Sequence, residues 1–194
     1  ENNVYMDKLC YSCAKREKVL LSDDADYYRR CREVYVKPSE MPERWNTPMK
    51  YGCPYDCGLC PSHEQHSCLT LIEVTDHCNL KCPICYADSG PERKEDYRTL
   101  EHIIDMLDAV VENELEPDVI QISGGEPTLH PNFFDILDAV RERPVKHLMV
   151  NTNGIRIANE PEFAARLAEY KPGFELYLQF DSLEREPLMR LRGA

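Results

Sequence analysis

From Leu69 onward the apolar residues follow two alternating rhythms. Dense short runs, "LTLIEVT", "DVIQIS", "VKHLMVNTNG" and "FELYLQFDS", read as strands bounded by polar or turn residues. Between them the apolar positions recur at helical spacing. Leu100, Ile103, Ile104, Leu107, Val110 and Val111 mark one amphipathic helix. "PNFFDILDAVRER" predicts a second, with Pro131 at its first position, and "PEFAARLAEY" a third. Short connections between alternating strands and helices imply a parallel sheet with crossover helices, an α/β fold. "REPLMRLRGA" predicts the start of a further helix. About four βα units make neither a closed eight-fold barrel nor an obviously complete open sheet. Residues 69–194 are therefore expected to be the N-terminal part of a longer core.

The preceding residues have a different texture. Up to about residue 68 the chain is rich in Cys, Pro, Tyr and charge, and "KPSEMPERWNTPMKYG" reads as an extended, proline-punctuated connection. An irregular region organised by metal rather than by a hydrophobic core is expected here. It divides into a mononuclear-metal region with its linker, residues 1–50, and a second metal segment, residues 51–68.

Composition narrows the function classes. The hydrophobic fraction of 42% suits a packed globular core. No run of 18 apolar residues and no signal peptide is present, so a soluble, cytoplasmic protein is expected. A formal net charge of -12 argues against a nucleic-acid partner, whose phosphates reward surplus Lys and Arg. All ten cysteines fall within the first 85 residues, which favours metal or redox chemistry over a secreted disulfide scaffold.

"CNLKCPICY" places Cys78, Cys82 and Cys85 at C-x3-C-x2-C spacing just after the first strand of the α/β region. A [4Fe–4S] cube normally takes four thiolates, so three would leave one iron open to a chelating small molecule. In the next βα turn stands "SGGEPT". Gly124 and Gly125 would allow close backbone approach to a ligand, Glu126 offers an acceptor for an ammonium group, and Pro127 stiffens the exit. The competing reading is a structural zinc knuckle of Cys78, Cys82, Cys85 and His77, which leaves "SGGEPT" without a purpose.

The cysteine loop followed by "GGEP" resembles the radical S-adenosylmethionine (SAM) superfamily over about residues 69 to 181. The resemblance implies a partial (β/α) radical SAM barrel in which Cys78, Cys82 and Cys85 hold a [4Fe–4S] cluster. SAM's amine and carboxylate would chelate the unique iron, with Gly124, Gly125, Glu126 and Pro127 about the methionine part. It places Ile84 and Tyr86 beside the adenine, and Asn151, Asn153, Gln179 and Asp181 near the ribose or carboxylate. A plain turn at Asn153-Gly154 is an equal alternative, and Ser182 is either a solvated hydroxyl or a helix cap. The chemistry implied is reductive cleavage of SAM to methionine and a 5′-deoxyadenosyl radical that removes hydrogen from carbon. A low-potential donor such as a ferredoxin or flavodoxin would supply the electron.

"CPYDCGLCPSHEQHSC" supplies Cys53, Cys57, Cys60 and Cys68, four thiolates for a closed auxiliary [4Fe–4S] cluster, with zinc as the alternative. His63 and His66 are other possible ligands or ordinary exposed histidines. Cys10 and Cys13 form C-x2-C with Cys31 downstream, suggesting a mononuclear zinc or iron site whose fourth ligand is not evident; Cys31 as a free thiol is the alternative. The combination of this knuckle with "CPYDCGLCP", "CNLKCPICYA" and "QISGGEPTLHP" resembles the superfamily branch of pterin methyltransferases and archaeal tetraether lipid synthases. It implies C–C bond formation on lipid alkyl chains with peripheral membrane or lipid contact, or methylation of a pterin. A non-catalytic electron-transfer or zinc module is the alternative of another class.

Overall fold

The computed structural model describes residues 2–10, 12–35, 42–52, 55–56, 58–61, 63, 65–93 and 96–193, with only the backbone for 31–35. The chain forms two compact units, Glu1–Glu40 and Met41–Ala194.

In the first unit, strands β1 (Val4–Leu9) and β2 (Arg16–Ser22) pair antiparallel, and helix α1 (Ala25–Tyr35) follows. The expectation of an irregular N-terminal region is corrected for these residues. The hairpin leaves no period-two mark in the sequence because its side chains are nearly all exposed, so no buried face imposes an apolar alternation. The turn is closed by Cys10 N, which donates to Lys15 O at 2.9 Å. Helix α1 starts where the Asp24 carboxylate accepts from Tyr27 N at 2.9 Å, a bond that also holds its carboxyl below the ordinary value.

The second unit is built on four parallel strands in the order β3 (Thr70–Glu73), β4 (Val119–Ser123), β5 (His147–Thr152) and β6 (Phe174–Leu178). Helix α2 (Leu100–Glu114) links β3 to β4, and a 3-10 turn (Pro127–Leu129) with helix α3 (Phe133–Arg141) links β4 to β5. Helices α4 (Ile155–Asn159) and α5 (Pro161–Ala168) precede β6, and α6 (Arg185–Arg192) follows it. Thr99 Oγ1 caps α2 by accepting from His102 N at 3.2 Å. The core lies on one face of the sheet. Ile72, Val74, Ile120, Ile122, Leu148 and Val150 meet Ile103 and Leu107 of α2, Phe133 and Ile136 of α3, and Phe163 and Leu167 of α5. Alternate strand positions turn away, so Leu71 remains 45% exposed between neighbours that reach the core.

The helices depart from the sequence expectation in two places. Pro131 precedes α3, whose N-cap is Asn132, and it is Pro127 that opens a helical turn. Helix α4, five residues long, is too short to write a helical period into the sequence. Among the described residues no helix is long and apolar enough to cross a membrane.

His130, 2% exposed, joins the start of α3 to the loop before α2. Its Nε2 faces Arg98 O at 2.8 Å and its Nδ1 accepts from Asn132 N at 3.1 Å. This pattern fits only the neutral ring with its hydrogen on Nε2, since a proton on Nδ1 would meet another donor. Burial lowers the pKa from its ordinary 6.5. The unfolded state therefore takes up the proton first, and stability is lost as pH falls below about 6.5.

Two outcomes follow. Leu107→Ala, at a position with no exposure, is expected to cost about 3 kcal/mol in urea unfolding, against under about 1 kcal/mol for Leu71→Ala. The decline in stability from pH 6.5 to about 5 should be shallower in His130→Gln than in the parent, because glutamine does not titrate.

Candidate functional site

A cavity of about 230 Å³ opens at the C-terminal ends of the strands. Cys78, Cys82, Cys85, Ile84 and Tyr86 line it from the loop after β3, and Gly124, Gly125 and Glu126 from the turn after β4. Asn151 and Asn153 enter from the end of β5, Gln179 from the residue after β6, and Arg192 from α6. Pro127 is buried in its 3-10 turn and Asp181 pairs with Arg192; neither is part of the wall. Ile84 and Tyr86 are 84% and 80% exposed.

The glycines owe their identity to the chain's own packing. Gly125 N donates to Thr75 O at 2.7 Å, and Glu126 N to His77 O at 2.9 Å. A Cβ on Gly124 would lie 2.3 Å from Thr75 O, and one on Gly125 2.3 Å from His77 O. Gly124 also has φ +134°, where side chains are strained. The close backbone approach expected toward a ligand is thus made to the chain leading into the cysteine loop.

Glu126 is 1% exposed. Its Oε1 accepts from Thr128 N (3.2 Å), Thr128 Oγ1 (2.6 Å) and Thr152 Oγ1 (2.7 Å), and its Oε2 from Asn153 N (2.8 Å). Oε2 keeps acceptor capacity on the cavity side. Asn153 Nδ2 donates to Asn79 Oδ1 at 2.7 Å, joining β5 to the cysteine loop, while its Oδ1 accepts from Ile155 N, the turn contact foreseen as an alternative. Asn151 Nδ2 donates to Ser123 Oγ at 3.4 Å, whereas its Oδ1 is buried without a partner among the described residues. Ser182 Oγ accepts from Glu184 N at the start of α6.

The three cysteines differ in burial: Cys78 is buried, Cys82 half-buried and Cys85 exposed. Burial pushes the Cys78 thiol above its ordinary value, and the charges of Glu126, Cys82 and Cys85 push the same way, against a hydrogen bond from Leu80 N. Cys82 Sγ donates to Arg192 O at 3.6 Å. Among the described residues no three Cys, His, Asp or Glu side chains already surround a common metal position. The donor set nevertheless fits a cationic iron–sulfur cluster. Three thiols share one wall with a carboxylate, and a bound cation would relieve the repulsion that arises when they ionise.

Arg192 had no signal in the sequence, where "RLRG" reads only as helix. Its side chain is 17% exposed, and its Nε lies 2.6 Å from Asp181 Oδ2 but off the hydrogen-bonding direction. It is the only Lys or Arg among the described cavity-lining residues.

The other cysteines lie elsewhere. Cys10 and Cys13 sit on the β1–β2 turn, where the thiol and backbone N–H of Cys13 hold the Cys10 thiol below its ordinary value. Cys31 is on α1, with its side chain outside the description. Cys60 is buried and Cys68 exposed; Cys53 and Cys57 lie outside the described residues. His63 is exposed. His66 is not an ordinary exposed histidine: at 18% side-chain exposure it sits between Glu114 and Asp118.

A family model described as the radical SAM superfamily matches residues 72–194. A 7,8-dihydro-6-hydroxymethylpterin dimethyltransferase of Methanocaldococcus jannaschii is 30% identical, over 95% of this chain and 40% of its own length. A GTP 3′,8-cyclase of Haemophilus influenzae is 36% identical, over 69% of this chain and 38% of its own. The chain thus spans about 40% of the length of these curated relatives. The solved structure of anSMEcpe with bound AdoMet superposes with a TM-score of 0.49 at 24% identity, covering 64% of this chain and 34% of that one.

Gly125→Ala is expected to lower stability by more than about 2 kcal/mol, because the added carbon meets backbone. Gly90→Ala, whose contact is the flexible tip of Glu92, should cost under about 1 kcal/mol. Thermal unfolding of the two variants checks the difference.

Proposed function

Because this chain belongs to the radical SAM superfamily, we propose that it binds S-adenosylmethionine in the strand-end cavity. There it would cleave SAM reductively to methionine and a 5′-deoxyadenosyl radical that removes hydrogen from a substrate carbon. The observation that supports this most is the meeting of Cys78, Cys82 and Cys85 with Gly124, Gly125 and Glu126 on one cavity. A [4Fe–4S] cluster held by the three thiolates would supply the electron that breaks the carbon–sulfur bond.

The chain's own residues bind and orient. Glu126 Oε2, with one donor already in place, would accept from the amino group of SAM's methionine part. Asn151, whose Oδ1 has no partner among the described residues, lines the same wall and would suit a hydroxyl or amine donor. Arg192 would face an anionic group such as a carboxylate, with Asp181 setting its direction. Ile84 and Tyr86 offer exposed apolar and aromatic surface at the rim for a purine. The electron donor is proposed to be a low-potential ferredoxin or flavodoxin.

For the substrate we propose lipid alkyl chains joined by C–C bond formation, from the likeness of "CPYDCGLCP", "CNLKCPICYA" and "QISGGEPTLHP" to the tetraether-synthase branch. Pterin methylation is the second reading, favoured by the archaeal pterin dimethyltransferase whose alignment includes the cysteine-rich N-terminal residues.

Purified anaerobically and reduced with dithionite in the presence of SAM, the protein should form 5′-deoxyadenosine, detected by mass spectrometry, and Cys82→Ala should form none. Deuterium passing into that product from a labelled lipid tail would support coupling; passage from a labelled pterin would support methylation. No product from a cluster-replete sample would point to an electron-transfer or metal-binding module. Glu126→Gln should keep its iron but bind SAM at least about tenfold more weakly, as loss of a charged hydrogen bond requires. Unchanged affinity would remove Glu126 from the binding site.

A further inference from the structure

Among the described residues four buried side-chain polar atoms have no hydrogen-bond partner: His77 Nδ1, Ser89 Oγ, Asn151 Oδ1 and Arg192 Nε. Three of the four belong to residues of the cavity wall, Ser89 together with Asn151 and Arg192. A buried polar atom left unsatisfied costs free energy that packing does not return. Where such an atom persists at a cavity wall, a ligand that completes it accounts for its being there. Asn151 and Arg192 already have a use on the proposed reading. Ser89 has none.

Both neighbours of this serine are held in place. Asp88, in a left-handed conformation at φ +48°, is gripped by Arg93, whose Nε donates to Asp88 O at 2.9 Å and whose Nη2 donates to Asp88 Oδ2 at 2.8 Å. Gly90 O accepts from Cys78 N at 3.3 Å and from Arg93 N at 3.2 Å, and Gly90 pairs with His77 in a parallel bridge. The segment after Cys85 thus returns to the start of the cysteine loop. Ser89 stands next to the residue that closes it, on the same wall as Cys78. Cys78 is also a sulfur that already receives a donor, since Leu80 N donates to its Sγ at 3.4 Å. Cys82 Sγ instead donates to Arg192 O, and Cys85 is exposed. A serine hydroxyl both donates and accepts, whereas a thiolate only accepts, so toward sulfur Ser89 must be the donor.

We propose that Ser89 Oγ donates a hydrogen bond to sulfur at the Cys78 corner of the three-thiolate centre and so raises the reduction potential of the cluster held there. This rests on the reading of the cavity as a [4Fe–4S] site. A hydrogen bond strengthens as its acceptor gains negative charge. The bond from Ser89 is therefore stronger after one-electron reduction and favours the reduced state.

The test uses the whole chain, loaded anaerobically with iron and sulfide, with Ser89→Ala and Ser89→Thr as variants. The electron paramagnetic resonance signal of the cavity cluster is the one that Cys82→Ala removes. In a potentiometric titration without SAM, Ser89→Ala should disfavour reduction of that cluster about fivefold, a fall of about 40 mV at 59 mV per tenfold change. Ser89→Thr keeps the hydroxyl and should stay within about twofold of the parent, and SAM affinity should do so in both variants. Before loading, Ser89→Ala should unfold at the parent's temperature or above it, because the hydroxyl has no partner to lose. An unmoved potential in Ser89→Ala, or an equal fall in Ser89→Thr, would overturn the proposal. A melting temperature lower by more than about 3 °C before loading would also overturn it, by making the hydroxyl part of the fold. So would a loss of SAM affinity of at least about tenfold at unmoved potential, which would give Ser89 to SAM. If the potential depends on Ser89 as expected but the parent binds no SAM, the proposed function fails and this inference stands. If Cys82→Ala removes no iron, both fall.

Discussion

A buried carboxylate is the point on which the strand-end site depends. Taking Glu126 out of water is costly unless its lone pairs are filled, and the chain fills them from three directions. Thr128 comes from the 3-10 turn, Thr152 from the end of β5 and Asn153 from the turn beyond. Each donor is thereby fixed, and with it the position of a strand end. The backbone of the same turn reaches the other way, to Thr75 and His77. One residue and its two glycine neighbours therefore brace β3, β4 and β5 against each other, and Asn153 carries the brace on to Asn79 in the cysteine loop. On the proposed reading, a carboxylate positioned this firmly would lose little entropy when a ligand arrives.

Much of this was legible in the sequence, for reasons that differ from residue to residue. Strands β3, β4 and β5 showed because their face toward the helices must be apolar, and the dense runs at 70–73 and 119–123 record it. The three cysteines showed by spacing alone. "GGEP" reads as a ligand loop, yet the two glycines also answer to Thr75 O and His77 O, contacts between residues far apart in the chain that no local pattern encodes. Arg192 was invisible for the same reason: an arginine on a short polar helix carries no mark until the fold brings it to Asp181 and Cys82. The N-terminal hairpin failed differently. It is held by backbone pairing with both faces wet, so its side chains were under little constraint to alternate.

The electrostatics of the cavity follow from the same geometry. Three thiols and one carboxylate meet where burial already penalises charge, and the Cys78 thiol is pushed up as a result. One arginine lines this wall, and Asp181 takes part of its charge. The site is therefore organised to receive positive charge. On the proposed reading that charge comes twice, from the iron of the cluster and from the ammonium and sulfonium of SAM, and each makes the other's neighbours easier to ionise. The formal charge of the whole chain, -12, adds a field of the same sense.

The cysteine loop is clamped unevenly. On one side Asn79 is tied to Asn153. On the other, α6 ends against the loop: Gly193, at φ +65°, leaves room where a Cβ would stand 1.8 Å from Lys81 O, and Cys82 Sγ meets Arg192 O. Among the three cysteines burial falls in order, from Cys78 beside the sheet through Cys82 to Cys85 in solvent. On the proposed reading the fold would position the first thiol, and the exposed last one would be the more able to adjust to a bound cluster. Thiolate ligands must lose protons as metal binds. Burial makes that costly at Cys78, whose thiol it pushes above the ordinary value, and a bound cation would offset the cost there.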